Sequence, residues 1–291
     1  MDNDDVEYFL GGHIKDNFWA IVRDMIGMFD SGFGGLHVLR SVTTHLPQYG
    51  YIYLGDSKRA PYGPRSSPEV YVFTKQGVES LFSHGAQLVV LACNTASSEA
   101  LRRIQKEYLA EGNSRKVLGV LIPFAEAAAA QTKNKRVGVL ATEGTVRSGA
   151  FVREITKLGS IQVFQETAPE LVPLIEAGQQ DDKDVAGLID GYLAPLLAQG
   201  IDTLVLGCTH YGIVQEKIKE SVGDSVSVIS EREVVPDAIA KYLQRHPDIE
   251  QRIEKHTAPQ FYTTGDIKRF ETLGSIFFGN PIRAQKARLG I

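Results

Sequence analysis

From Met25 onward, short apolar runs alternate with longer amphipathic stretches: IGMF, LHVLRSVTTHL, YIYLGD, PEVYVFTKQGVESLFSHG, LVVLACN and SSEALRRIQKEYLAEG. A short apolar run bounded by Gly, Asn, Asp or Ser reads as a strand buried on both faces. Apolar positions spaced three and four apart read as a helix. Strand followed by helix, repeated, predicts βα units on a mostly parallel sheet. The cycle restarts with VLGVLIP, the Ala-rich AEAAAAQT and RVGVLAT. It continues through SGAFVREITKLG, IQVFQET, a polar helix around DDKDVAGLIDGYLAPLLAQG, and TLVLGCTHYG. The last portion holds VSVIS, the helix VVPDAIAKYLQRH, a strand near QFYTTG and the short run SIFFG.

The two halves echo each other. IGMFDSGFGG at 26–35 resembles VGVLATEGTV at 137–146, and LVVLACNTAS at 88–97 resembles TLVLGCTHYG at 203–212. The separations are similar, 62 residues from Ile26 to Leu88 and 66 from Val137 to Thr203. Two domains of one α/β type, related by pseudo-symmetry, explain this; chance likeness between buried, Val/Leu-rich parallel strands is the alternative. The first 24 residues lack this punctuation and read as a mobile tail, a regulatory arm or upstream sequence.

A chain of 291 residues, 43% hydrophobic and 23% charged, has room for two modest domains. Net charge is −4, from 31 basic and 35 acidic residues, with no basic block, which speaks against nucleic acid as a ligand. No apolar run reaches the roughly 20 residues of a membrane span, and the acidic start is unlike a signal peptide, so a cytoplasmic protein with no membrane partner is expected. The only two cysteines, Cys93 and Cys208, stand 115 positions apart with no zinc-like spacing, and are expected as free thiols. No metal site is expected.

In an open parallel sheet, ligands bind beyond the carboxyl ends of the strands. Cys93 follows LVVLA and precedes Asn94 and Thr95, while Cys208 follows TLVLG and precedes Thr209 and His210. A single unpaired cysteine is usually inert packing; two in matching positions of two halves suggest chemistry. Inverting a carbon centre needs a proton taken from one face and another delivered to the opposite face. A thiolate with a pKa near 8.5 is a competent base and its thiol a competent acid, so one cysteine in each state is the expected resting arrangement. Asp30 and Ser31 of FDSGFGG stand at the end of the first strand, where the acid either serves a thiol or caps a turn. Gly32, Gly34 and Gly35 do not complete a dinucleotide loop, because His37 stands where the third glycine belongs. His210 is placed to pair with Cys208; His13, His37, His45, His84, His246 and His256 receive no role.

These segments, with YLGDSKRAPYGPRS at 53–66 and PELVPLIEAG at 169–178, resemble the glutamate racemase family, cofactor-independent aspartate/glutamate racemases, over nearly the whole chain. The resemblance implies two flavodoxin-like three-layer α/β/α domains with mostly parallel sheets and the active site in the interdomain cleft. Residues 25–120 and 235–291 would form one domain and 121–234 the other, and residues 1–24 are read as a disordered N-terminal extension. It implies Cys93 and Cys208 as the acid/base pair, Asp30 assisting Cys93, and His210 with Glu176 assisting Cys208. Asp30, Ser31, Asn94, Thr95, Thr209 and His210 would hold the substrate, with Tyr62 and Gly63 completing the pocket. The activity implied is cofactor-free interconversion of L- and D-glutamate by two-base 1,1-proton transfer, supplying D-glutamate for peptidoglycan. An aspartate or other acidic amino-acid racemase, or a non-catalytic binding protein, are the alternatives, and a homodimer stays open. Two departures stand out: Gly212 replaces a common proline after CTHY, and VSVIS ends in Ser230 where an aspartate is frequent.

Overall fold

The computed structural model describes residues 24–108 and 114–290; of the extension expected over residues 1–24, all but Asp24 lies outside them. Ten strands occur among the described residues: Met25–Asp30 (β1), Tyr51–Gly55 (β2), Ala86–Leu91 (β3), Lys116–Gly119 (β4), Arg136–Ala141 (β5), Gln162–Thr167 (β6), Thr203–Gly207 (β7), Ser227–Ile229 (β8), Gln260–Thr263 (β9) and Ala284–Lys286 (β10). They form two sheets, ordered β10-β9-β2-β1-β3-β4 and β6-β5-β7-β8, and every pairing is parallel.

The first sheet shows why its strands read as unbroken apolar runs. Every residue of β1, β2 and β3 is buried, so neither face has a reason to be polar. The alternation survives in what each side chain touches. Ile26, Met28, Tyr51, Tyr53, Leu88 and Val90 enter one core, whereas Phe29, Ile52, Leu54, Val89 and Leu91 enter another behind the sheet. Helices cover both faces: Gly35–His45 packs on one, and Ser67–Ser83 on the other. Gly77 lets that second helix sit close, since a β-carbon there would fall 2.2 Å from the Phe29 ring. The larger core runs on into the second sheet through Phe124, Val139, Phe151, Leu204 and Val235.

The internal echo is a structural one. β2-β1-β3-β4 and β6-β5-β7-β8 have the same order, and the register matches: Ile26 lies opposite Leu88 as Val137 lies opposite Thr203. The first residues of the paired motifs are therefore opposite one another on neighbouring strands in both sheets, and Cys93 and Cys208 leave their sheets from equivalent points. VLGVLIP differs from its expected place as the restart of the cycle. Its first part is β4, an edge strand of the first sheet, and the helix Leu121–Gln131 begins immediately after. SIFFG forms the last turn of the helix Ile267–Phe278, and the polar edge strand β10 has no counterpart in the hydrophobic pattern. Among the described residues, no helix is long and apolar enough to cross a membrane.

Candidate active site

The carboxyl ends of β1, β3 and β7 converge on a cavity of about 30 Å³, lined by Ser31, Gly32, Ala60, Pro61, Tyr62, Gly63, Cys93, Asn94, Thr95, Thr142, Val172, Glu176, Cys208, Thr209 and His210. Of the residues expected at the site, all but Asp30 line it, and neither lysine nor arginine does. A space this small holds little more than water and is closed to an amino acid. A wider vestibule of about 590 Å³ adjoins it through Ala60, Pro61, Val172 and Glu176.

Cys93 leaves β3 and caps the helix Asn94–Glu99, its sulfur accepting the Ala96 N–H at 3.5 Å. The Cys93 thiol reaches Ser31 Oγ at 3.5 Å. Burial, with the nearby Asp30 charge second, pushes it up to about 11. Cys208 leaves β7 with its sulfur 3.8 Å from His210 Nδ1, and burial holds it well above the ordinary thiol range. Burial therefore disfavours the thiolate form of both, because a buried thiolate has lost its hydration.

His210 joins Cys208 to an acid. Its Nε2 lies 3.1 Å from Glu176 Oε1. A carboxylate only accepts, so a neutral imidazole that donates to Glu176 through Nε2 presents Nδ1 as an acceptor toward the Cys208 sulfur. The short helix Leu171–Glu176 delivers Glu176, whose other oxygen is 3.7 Å from Arg269 Nη2.

Asp30 sits beneath the cavity, fully buried. It accepts the Gly32 N–H at 2.8 Å and the Thr209 hydroxyl at 3.4 Å. Burial raises its carboxyl, with the neighbouring His210 opposing. Among the described residues Asp30 makes no hydrogen bond to Cys93; its charge raises that thiol, and its bond to Gly32 shapes the Ser31–Gly32 loop, whose Gly32 carbonyl accepts the Tyr53 hydroxyl at 3.0 Å. Tyr62 and Gly63 are held by a buried acid absent from the sequence reading. Asp56 accepts Tyr62 OH at 2.5 Å, Arg59 Nε at 2.7 Å and Thr264 Oγ1 at 2.6 Å, pinning the 56–66 loop to the sheet.

Two further residues escaped that reading. Thr142 follows β5 and occupies the place of Ser31 in the echo of 26–35 with 137–146; its hydroxyl is 2.9 Å from that of Thr95. The echo itself carried this signal. Glu231 is 1% exposed and accepts Asn94 Nδ2 at 2.8 Å, and no local pattern distinguishes it from a solvated helix-start acid. The two departures also have physical reasons. A β-carbon at 212 would lie 3.2 Å from the His37 ring, so Gly212 makes room for an imidazole that burial, then Arg232 and Arg40, pushes down to about 4. Ser230 ends the strand segment and opens the helix Glu231–Arg245, its N–H donating to Glu233 Oε2 at 3.4 Å.

Residues 36–234 match the family model described as Asp/Glu/Hydantoin racemase. The chain is 39% identical over 255 residues to a glutamate racemase of Levilactobacillus brevis, covering 87% of this chain and 90% of that one. Its structure is similar to that of a glutamate racemase isoform from Bacillus anthracis, with TM-score 0.84, 33% identity, and 91% and 98% of the two chains covered. It is also similar to a Francisella tularensis glutamate racemase in complex with D-glutamate, with TM-score 0.80, 27% identity, and 93% and 98% covered.

Proposed function

The chain belongs to the Asp/Glu/Hydantoin racemase family, and on that premise we propose that it interconverts L- and D-glutamate by two-base proton transfer between Cys93 and Cys208. It is an isomerase, an amino-acid racemase. The observation that carries the reading is the pair of thiols leaving equivalent points of two like sheets to line one cavity.

With L-glutamate bound, His210 Nδ1 takes the Cys208 proton, and the resulting imidazolium is held by Glu176. The Cys208 thiolate then removes the α-proton, leaving the electron pair of the broken C–H bond on the α-carbon and its carboxylate. Cys93 donates its proton to the opposite face, which yields D-glutamate and a Cys93 thiolate. D-Glutamate reacts by the reverse order, from the Cys93 thiolate with His210 protonated, and exchange of one proton with water on product release, off His210 and onto Cys93, returns the starting state. The burial that keeps the thiols neutral also makes the thiolate, once formed, a stronger base toward a weakly acidic C–H. Substrate carboxylates meet hydroxyls of Ser31, Thr95, Thr142 and Thr209 and backbone N–H groups rather than cationic side chains. No cofactor takes part. The closed cavity must open through the vestibule to admit substrate, and its reclosure expels water. In this reading residues 25–120 with 235–291 form one lobe and 121–234 the other, and the enzyme acts in the cytoplasm, supplying D-glutamate for peptidoglycan.

The test is α-proton exchange in deuterated water with L- and D-glutamate and aspartate, for wild type, Cys93→Ser and Cys208→Ser. Wild type should exchange and invert glutamate, and each variant should lose inversion by at least about 1,000-fold. Glutamate inert to wild type would sink the proposal.

A further inference from the structure

Glu231, a buried acid, takes no part in the proton transfers. It opens the helix Glu231–Arg245 after β8, and its Oε1 reaches across to accept Asn94 Nδ2, at 2.8 Å, on the helix that follows β3. Asn94 lines the cavity beside both thiols, and its Oδ1 is buried with no donor among the described residues. An amide has two ends of nearly equal shape and opposite polarity, so the partner of one end decides what the other presents. A carboxylate only accepts; it draws the NH₂ toward itself and turns the oxygen away. The cavity already has hydroxyl donors in Ser31, Thr95 and Thr209, while the acceptor Asp30 is engaged by Gly32 and Thr209. Glu176, a carboxylate of the lining, is engaged by His210 and Arg269, which leaves Asn94 Oδ1 as a side-chain acceptor of the lining with no donor of its own among the described residues.

We propose that Glu231 is a positioning residue that locks the Asn94 amide with its oxygen toward the α-ammonium group of the bound amino acid. This rests on the racemase reading but not on which amino acid is inverted. The lock holds only while Glu231 is ionised. Burial pushes its carboxyl up to about 8, its own backbone N–H and Asn94 favour the charge, and Asp30 at the end of β1 and Glu233 on the same helix oppose it. Cys208 at the end of β7 is also within its field. Protonated Glu231 donates to Oδ1 as readily as it accepts from the NH₂, and the amide is then free to invert and meet the ammonium with a donor.

Glu231→Gln keeps the shape and removes the acceptor-only character. KM and kcat for glutamate are measured from about pH 6.5 to about pH 9 in wild type, Glu231→Gln, Asn94→Ala and the double variant. Near the upper pH, Glu231→Gln should raise KM about tenfold, one hydrogen bond's worth, with kcat within about threefold. The wild-type and Glu231→Gln curves should converge toward the lower pH, and Glu231→Gln should add nothing in the Asn94→Ala background. A merely structural role would lower the melting temperature and leave this KM pattern untouched. An unchanged KM near pH 9, or an equal increase in the Asn94→Ala background, overturns the inference. If Glu231→Gln misfolds, the wild-type fall of KM with pH must vanish in Asn94→Ala; its persistence overturns the inference equally. Wild type that inverts no amino acid overturns the functional reading itself, and this inference with it.

Discussion

Replacing His210 by Asn removes the group that accepts the Cys208 proton while leaving a polar side chain of similar reach. The imidazolium and thiolate so formed would stand 3.8 Å apart, Nδ1 to Sγ. Two unit charges at that separation attract by about 4 kcal/mol at an effective dielectric of about 20. At about 1.4 kcal/mol per factor of ten, that sets a ceiling near 1,000-fold. We expect kcat/KM to fall by about 100- to 1,000-fold, within the usual range for a positioned acid–base group. The equilibrium constant between enantiomers is unity, so kcat/KM must fall equally in both directions, and steady-state rates alone cannot locate the damage. Primary isotope effects can. With α-deuterated L-glutamate the C–D bond is broken by Cys208, and with α-deuterated D-glutamate by Cys93. In His210→Asn the isotope effect on kcat/KM should grow for the L-enantiomer and shrink for the D-enantiomer relative to wild type. A variant that keeps more than about a third of wild-type kcat/KM, or in which both isotope effects change alike, refutes the assignment of His210 to Cys208.

The thiol environment predicts slow, strongly alkaline alkylation: because the Cys93 thiol is raised to about 11 and Cys208 is raised as well, modification by iodoacetamide should keep accelerating above about pH 9, where an ordinary thiol of pKa near 8.5 has levelled off; a plateau near pH 9 contradicts the burial argument. Gly34→Ala should act as a wedge, since the new β-carbon would fall 2.3 Å from Thr209 Oγ1 and 2.7 Å from His210 Nδ1. Activity should drop by about 100-fold or more, while unfolding in urea shows a loss of no more than about 1–3 kcal/mol, because the clash lies where β1's loop meets Thr209 and His210 rather than in a core; full activity would show that the closed arrangement is not the working one.

Much of the architecture is legible along the chain because its causes are local or repeat. Strands buried on both faces must be apolar throughout, so β1, β3, β5 and β7 announce themselves. The echo of 26–35 with 137–146 and of 88–97 with 203–212 becomes equal strand order and equal register, since like sequences pair like sequences. The same echo points to both cysteines and, through Ser31, to Thr142. Local pattern is silent about β10, a three-residue polar edge strand with one neighbour, and about SIFFG, whose helical setting comes from packing.

What only the tertiary structure decides is what each polar residue is shielded from and paired with. Glu231 and Glu233 stand two positions apart at one helix start, and the first is buried against Asn94 while the second accepts the Ser230 N–H. Asp30 serves Gly32 and Thr209 rather than a thiol directly, and burial at one cavity raises both thiols, which the residues beside each cysteine in sequence do not foretell. Burial and pairing belong to surfaces brought together from distant parts of the chain, and the free energy of a charge depends on that surrounding far more than on its neighbours in sequence.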